Sequence, residues 1–322
     1  MNKLTFSIGG SSGLGWESFL EICQACEDTG YFAFYPSDHL MTVQSGKGPS
    51  PHRLDALTTI AAVSSYTKKL RLGVLVANNL FRHPVITAKI FNTIDHVSQG
   101  RAEFGLGAGW SEQEHSVHGF GFPKPSERIE MLDEALSVVR AIWTDEPATF
   151  KGKYYQINDA PQMPKPIQKP YPPIIVGGIS ARTRNVALRH ADDWDQIAPL
   201  RQVERNIATF KAEAEEMNRD ISCMRFSVQV PFDFASNKQE ADKIIDNALA
   251  NFNYGAHKVA EGYSDLREHV SESRLLGTPE DMVEQIGKWH EAGVNHFILT
   301  TPRPFDRAII EKFMSKVGQA LT

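Results

Sequence analysis

The sequence predicts an α/β protein of the (β/α)8, or TIM-barrel, class: eight parallel strands closed into a barrel with the helices outside. Three observations lead there. Short apolar runs alternate with amphipathic stretches along all 322 residues, and the alternation repeats about eight times, the rhythm of strand–helix units around a parallel sheet. One α/β barrel commonly takes about 250 residues or more, so a single domain spanning 1–322 fits, although average domain size alone would suggest two. Hydrophobic residues make up 41% of the chain and charged residues 23%. That is enough apolar surface for one large core, and it excludes disorder as the dominant state. A doubly wound open sheet is the competing arrangement of the same rhythm.

Leu4–Ile8 reads as the first strand. Trp16–Thr29 reads as a helix closed by Gly30, a residue suited to the left-handed backbone of a helix end. Trp16, Phe19, Leu20, Cys23 and Cys26 share one face of it. Phe32–Tyr35 is the second strand, Asp55–Tyr66 a helix and Leu70–Ala77 the third strand. Pro84–Val97 is a helix with Gly100 after it, and Ala102–Leu106 the fourth strand. Ser126 is placed to cap a helix running to Trp143, with Ile129, Leu132, Leu136, Val139 and Trp143 on one face. In the second half, Pro173–Val176, Trp194–Ala198, Phe226–Phe232 and His296–Thr300 are the strands. Ala181–His190, Val203–Asn218, Pro279–Ala292 and Phe305–Ala320 are the helices. The third of these opens Thr278-Pro279-Glu280, with proline in the first turn where its missing N–H costs nothing. Two insertions interrupt the rhythm, at about 145–172 and 235–273. The first holds a hairpin, TFKGKYYQI, turning at Lys151-Gly152 and followed by a proline-rich return; the second is polar and lacks clean periodicity. Both are expected on the rim of a pocket.

With 34 basic and 39 acidic residues, a net charge of −5 and a pI near 6.1, the chain lacks the basic surplus of a nucleic-acid binder. No run of about 18 apolar residues suggests a membrane span. The opening MNKLTFSIGG has no long apolar signal segment, and three cysteines cannot make a disulfide framework. A cytoplasmic, reducing setting is expected. Cys23-x-x-Cys26 lies within a helix, not at its start where a redox pair gains a lowered pKa, so core thiols are expected.

Barrel active sites sit at the C-terminal ends of the strands. Asp38-His39 follows the second strand there. An imidazole in that place can donate a hydrogen bond to a bound ring or exchange a proton with it, and the adjacent carboxylate can fix the imidazole or contact the ligand; a surface histidine held by its neighbour is the plain alternative. Asn78 follows the third strand. Gly105, Gly107 and Gly109 alternate through the fourth, outside the spacing of the dinucleotide fingerprint. Bare glycines there would let a flat ligand approach the backbone, with Trp110 as a wall or a packing residue. Gly177-Gly178-Ile179-Ser180 joins a strand to a helix, where free N–H groups and the positive helix end suit a phosphate, with Arg182 and Arg184 nearby. A tight turn needing only glycine's dihedrals would look the same. His115 and His118 with Glu114 form an H-x-x-H without a further closing ligand, so no metal is expected.

Taken together, FYPSDHL, LRLGVLVANNLFRHPVITAK, DHVSQGRAEFGLGAGWSEQEH, PKPIQKPYPPIIVGG and GTPEDMVEQIGKWHEAGVNHFIL resemble the bacterial-luciferase-like superfamily of flavin- and deazaflavin-dependent oxidoreductases over nearly the whole length. The resemblance implies a cofactor ring across the strand ends and a bulged third strand with a non-proline cis peptide behind it, which maps to Leu75-Val76. It makes His39 the ring-side catalytic histidine, with Asp38 beside it. It makes Leu75, Val76, Asn78, Gly109, Trp110, Gly177, Gly178, Ile179 and Ser180 the candidate cofactor-binding residues. The superfamily's deazaflavin sugar-phosphate dehydrogenases carry a catalytic Glu where this chain has Trp110, so neither their acid–base mechanism nor their substrate carries over.

The main expectation is the oxygenase component of a two-component monooxygenase. It would act on a small organic substrate with reduced FMN supplied by a separate NAD(P)H:flavin reductase, and the 235–273 insertion would serve as a lid. Equal numbers of Lys and Arg lean that way, since many deazaflavin users are Arg-rich. The alternative is a coenzyme F420 (deazaflavin)-dependent dehydrogenase or reductase. A flavin-binding relative without turnover is a third reading, against which Asp38-His39 argues. A homodimer is expected from the superfamily's habit of pairing through outer helices and from apolar residues on the helices Ile60–Tyr66 and Pro84–Val97.

Overall fold

Eight parallel strands close on themselves in the computed structural model, which describes residues 4–10, 15–44, 47–50, 53–250, 262–300 and 305–321. The strands are β1 (Thr5–Gly9), β2 (Ala33–Tyr35), β3 in two pieces (Arg71–Gly73 and Ala77–Asn78), β4 (Ala102–Gly107), β5 (Ile174–Gly177), β6 (Asp193–Gln196), β7 (Arg225–Phe234) and β8 (His296–Thr300). Each pairs with the next, and β8 returns to β1 in register from His296 against Thr5 to Thr300 against Gly9. That closure excludes the open sheet. The outer helices are α1 (Trp16–Thr29), α2 (Ala56–Val63), α3 (Pro84–Val97), α4 (Pro125–Thr144), α5 (Ala181–His190), α6 (Leu200–Glu216), α7 (Pro279–Glu291) and α8 (Arg307–Phe313).

The strands obey the two-residue period of a sheet with helices on its outer side. On β7, Phe226 packs edge-on against Phe210 of α6 and Phe232 against Phe313 of α8. The alternate residues Arg225 and Ser227 point inward, where both bond residues of β6. Around the outer layer Phe104 of β4 packs against Phe91 and Trp143, and the Trp143 indole donates to Ala88 O at 3.1 Å, tying α4 to α3. Cys23 and Cys26 are buried on the inner face of α1, and burial pushes both thiols far above their ordinary pKa, as core thiols require.

Three local expectations are corrected. α4 begins at Pro125, not behind a Ser126 cap: Pro125 fits the first turn and Glu127 accepts the Lys124 N–H at 3.1 Å, so the capping work is done two residues earlier. Within 235–273 the described residues form two helices, Lys238–Ala250 and Leu266–Ser271. The longer helix carries an apolar stripe, Ala241, Ile244, Ile245, Ala248 and Leu249, of which Ile245 alone is fully buried, and the two helices are further joined by Arg267, which pairs with Asp242 and Asp246. Residues 251–261, the centre of the expected lid, lie outside the described residues. The sixth strand ends at Gln196, two residues before the expected Ala198. The hairpin stands as expected, Ala148–Lys151 against Gln156–Ala160, with Glu134 of α4 accepting the N–H groups of Lys153, Tyr154 and Tyr155.

The N-terminal end of the barrel is plugged by charge. Glu103 accepts from Arg71 and Arg225, and Asp193 accepts from Arg225 at 3.0 Å and from Ser227. His296 bridges Ser7 at 2.7 Å and Asp193 at 3.2 Å, and both guanidiniums lie over the Phe32 ring. Burial would raise the Glu103 carboxyl, but Arg225 and Arg71 outweigh it and hold it below the ordinary carboxylate value. Asp193 is lowered in the same way, against burial, by Arg225, His296 and Ser227. A carboxyl lowered in the native state stabilises the fold in full above its unfolded pKa of about 4, and the contribution is lost as pH falls from there through the lowered native value. Glu103→Gln should therefore destabilise the protein by about 1.5–3 kcal/mol at neutral pH, because it takes the shared charge-assisted acceptor from two mostly buried arginines. Urea unfolding at pH 7 and pH 3.5 checks this: wild type should lose more stability on acidification than the variant.

Candidate active site

The other end of the barrel is open, and its walls follow from where β3 breaks. Between Gly73 and Ala77 the chain bulges inward, and the Leu75–Val76 peptide is cis, at the position the resemblance implied. Glycines on the neighbouring strands accept the bulge. A Cβ on Gly105 would lie 2.1 Å from Val74 O, one on Gly107 2.4 Å from Val76 Cγ2, and one on Gly177 3.3 Å from Val76 Cγ1. The alternating glycines of β4 thus clear space for the third strand, not for a ligand, which corrects the sequence reading. Gly109 likewise turns its bare side to Asn78 Oδ1. The result is a smooth wall of Leu75 and Val76 at the mouth, backed by Ala33, Tyr35, Ile175 and Ile298.

His39 stands after β2, partly exposed, with the edge of its ring set against Trp110 at 5.5 Å and 78°. Trp110 is 61% exposed, so it is a wall residue of the rim and not part of the core. The carboxylate that holds His39 is not Asp38. Glu114 Oε2 lies 2.8 Å from His39 Nδ1, while Glu114 Oε1 accepts the N–H groups of Leu40 and Met41. Glu114 is wholly buried on a short helix, Glu112–Val117, whose N-cap Ser111 accepts the Glu114 N–H. Burial opposes its charge, but the bonds from His39, Leu40 and Met41 outweigh it and hold the carboxyl below its ordinary value. An ionised Glu114 makes Nδ1 the donor and leaves Nε2 as the free base of the imidazole.

Asp38 does something else. It is buried, takes both terminal nitrogens of Arg82 at 2.6 and 3.2 Å, and accepts the Asn78 N–H at 2.9 Å. Arg82 continues to Asp55, the N-cap of α2. Asp38 therefore braces the β2 loop against the β3 loop. Asn78 is also a brace: its side chain spans His115 Nε2 at 3.2 Å and the Leu80 N–H at 3.0 Å. His115 is fully buried and donates from Nδ1 to Ser111 O, so the H-x-x-H segment supports the site from behind. Among the described residues no group of three or more His, Cys, Asp or Glu could hold a metal.

The turn after β5 differs from the expected pair of free glycine N–H groups, because the Gly178 N–H is already taken by a backbone carbonyl and the unpaired donors lie one step later, at the start of α5. Gly178 has φ +127°, its N–H donates to Asp195 O at 3.0 Å, and its carbonyl accepts the Trp194 indole N–H at 2.7 Å. Ser180 caps α5, its Oγ accepting the Thr183 N–H at 3.1 Å, and Ile179 packs partly into the core. The N–H groups of Ala181 and Arg182 are first-turn donors with no acceptor inside the helix, and they add to the positive helix end. Arg182 is exposed beside them, whereas Arg184 is committed to a two-point pair with Glu213 and brings no charge to the turn.

Two further residues escaped the sequence reading. Asp195 of β6 is buried beside Gly177, and its Oδ2 accepts from Gln229 Nε2 of β7 at 2.6 Å. Burial, reinforced by the Asp193 charge, pushes its carboxyl up to about 8. A bare Gly177, a smooth Leu75–Val76 wall, an anion-binding turn and an imidazole with a free nitrogen form one cradle. It fits a flat ring carrying a phosphorylated tail. The ring would lie along Leu75–Val76, and Gly178–Arg182 would hold the phosphate.

Comparison with known proteins gives the family and supports the barrel fold. Residues 4–296 match the family described as luciferase-like monooxygenase. An F420-dependent glucose-6-phosphate dehydrogenase of Amycolatopsis mediterranei is 24% identical over 94% of this chain and 94% of its own. In fold the chain is similar to an F420-dependent secondary alcohol dehydrogenase in complex with an F420-acetone adduct, with TM-score 0.82, 23% identity and 98% of each chain covered. It is similar too to the FMN-bound oxygenating constituent of 3,6-diketocamphane monooxygenase from Pseudomonas putida, with TM-score 0.78, 18% identity and 100% and 99% covered.

Removing the imidazole should lower turnover on cofactor-saturated enzyme by about 10²–10⁴-fold, the range of a positioned acid or base. Glu114→Gln should cost about 10-fold or more by the loss of the carboxylate that orients the imidazole, and neither change should move cofactor affinity much. Steady-state rates with direct binding titrations check both, and a His39→Ala enzyme within about threefold of wild type, far short of that range, would defeat the assignment.

Proposed function

The chain belongs to the luciferase-like monooxygenase family and is an oxidoreductase of that family, and within it we propose a deazaflavin (coenzyme F420)-dependent dehydrogenase acting on a small organic alcohol or carbonyl compound. The observation that carries the reading is the His39–Glu114 pair beside a wall for a flat ring. An imidazole with a free Nε2 and a carboxylate behind Nδ1 is equipped to move one proton, which is what hydride transfer to or from an alcohol carbon requires. The choice of deazaflavin over the FMN oxygenase expected from the sequence is supported by the name of the full-length relative. Its sugar phosphate is not carried over, because Trp110 stands where the resemblance expects an acidic residue.

When bound, the ring supplies hydride exchange. The chain's residues do the rest. The Gly178–Arg182 turn binds the phosphate and sets the depth of the ring. Leu75 and Val76 support one ring face. His39 Nε2 takes the proton of the substrate hydroxyl, or returns it in the reducing direction. Glu114 holds the imidazole in place and stabilises it while charged. Trp110 shields the outer edge of His39 from water.

A second reading keeps FMN, favoured by the likeness to the FMN-bound oxygenase fold; a separate NAD(P)H:flavin reductase would then supply the reduced ring. Titration separates the two. The deazaflavin coenzyme should bind at least tenfold tighter than FMN, and no oxygen should be consumed with reduced FMN. Tight reduced FMN with oxygen uptake would reverse the assignment. No helix among the described residues is long and apolar enough to cross a membrane.

A homodimer is the assembly we propose. Tyr66, Ile86 and Val97, on the outer face beside α2 and α3, are each about half exposed, an apolar surface that a second copy would cover. Sedimentation at micromolar concentration should give twice the chain mass of 36.0 kDa, and a monomer would end the idea.

A further inference from the structure

Gln229 is turned into the barrel, in phase with Arg225 and Ser227, yet it is not fully buried. The Arg71–Glu103–Arg225–Asp193 plug closes the barrel below it. The exposure that Gln229 keeps therefore opens to the mouth. In an eight-stranded barrel β7 stands four strands from β3, across the opening. Gln229 thus faces the Leu75–Val76 wall from the far side, and the space between them is where a substrate would meet the free face of a ring seated on that wall.

The amide is not free to turn at random. Nε2 donates to Asp195 Oδ2 at 2.6 Å, which leaves Oε1 as the atom for the mouth. Asp195 is itself buried beside Gly177, and among the described residues its Oδ1 has no hydrogen-bond partner. An amide oxygen is a neutral acceptor, matched by a neutral donor. It cannot share the proton of the reacting hydroxyl, which the proposed chemistry sends to His39 Nε2. Its partner must be a second group on the substrate.

We propose that Gln229 is a specificity-determining residue whose Oε1 accepts a hydrogen bond from a second hydroxyl of a neutral polyhydroxy substrate, and that Asp195 is the positioning residue that holds the amide in that orientation. The inference rests on the deazaflavin reading above.

The test uses the coenzyme-loaded enzyme and a matched pair of probes, 1,2-propanediol and 2-propanol, which share a secondary carbinol and differ by one hydroxyl. Gln229→Leu should raise KM for the diol by about 3–10-fold, the worth of one neutral hydrogen bond. It should leave KM for 2-propanol within twofold, and kcat for both and coenzyme affinity little changed. Asp195→Leu should raise KM for the diol over 2-propanol as Gln229→Leu does, whereas Asp195→Asn, which keeps an acceptor for Nε2, should keep the wild-type ratio of the two. Equal effects on both probes, no effect on either, a weakened coenzyme with unchanged KM, or a coenzyme-loaded wild type that oxidises neither probe would each overturn the inference while leaving the coenzyme assignment intact. A wild type that binds no deazaflavin would instead bring down the functional reading and this inference with it.

Discussion

Two arginines inside the barrel, Arg71 and Arg225, share Glu103, and Arg225 also holds Asp193. Everything above them depends on that arrangement. The residues that open β3, β6, β7 and β8 are Arg71, Asp193, Arg225 and His296, so one polar cluster ties four strand starts together at the same level. Buried ions of this kind are weak evidence of net stability, but each depends on its partners being present. Their structural effect is to seal one end, so that the inward-facing groups above meet solvent only at the other.

Above the seal the deciding constraint is steric. A strand that bulges into a barrel needs room, and Gly105, Gly107 and Gly177 provide it. A side chain at any of these positions would push Val76 or the backbone of Val74 out of place. The catalytic face of the barrel is then assembled from loops braced against this bulge: Asp38 holds Asn78 and Arg82, Asn78 holds His115, and the helix that carries His115 also carries Glu114 to His39.

Much of this was legible in the sequence, and the rest was hidden for identifiable reasons. The barrel could be read because residues such as Phe226, Val228, Val230 and Phe232 bury one strand face against helices, leaving a two-residue period. His39 and the Gly177–Ser180 turn could be read because they follow strands. Glu114 could not, since it reaches His39 across 75 positions of sequence; the local hint was Ser111 three residues before it, a helix-capping spacing in a segment that reads first as a metal motif. Asp38 was credited with the imidazole because it is adjacent in sequence, but neighbouring residues after a strand need not face each other. The helix Lys238–Ala250 was legible in the helical spacing of Ala241, Ile244, Ile245, Ala248 and Leu249, and it was missed because polar residues dominate the stretch around it. The β4 glycines were recognised as making space, and only the three-dimensional arrangement shows that a strand fills it.

The Glu114 carboxylate has a consequence for how this protein can diverge. It receives three donors from a single stretch, His39, Leu40 and Met41, while belonging to the loop two strands away. The β2 and β4 loops are thereby locked as one heritable unit: lengthening either alone would separate the acid from the imidazole. The phosphate turn after β5 lies outside that unit, anchored by Trp194 and Asp195. Loop transplantation between relatives should accordingly succeed when the β2 and β4 loops travel together and the β5 turn stays behind, so that proton handling and tail recognition behave as separable modules.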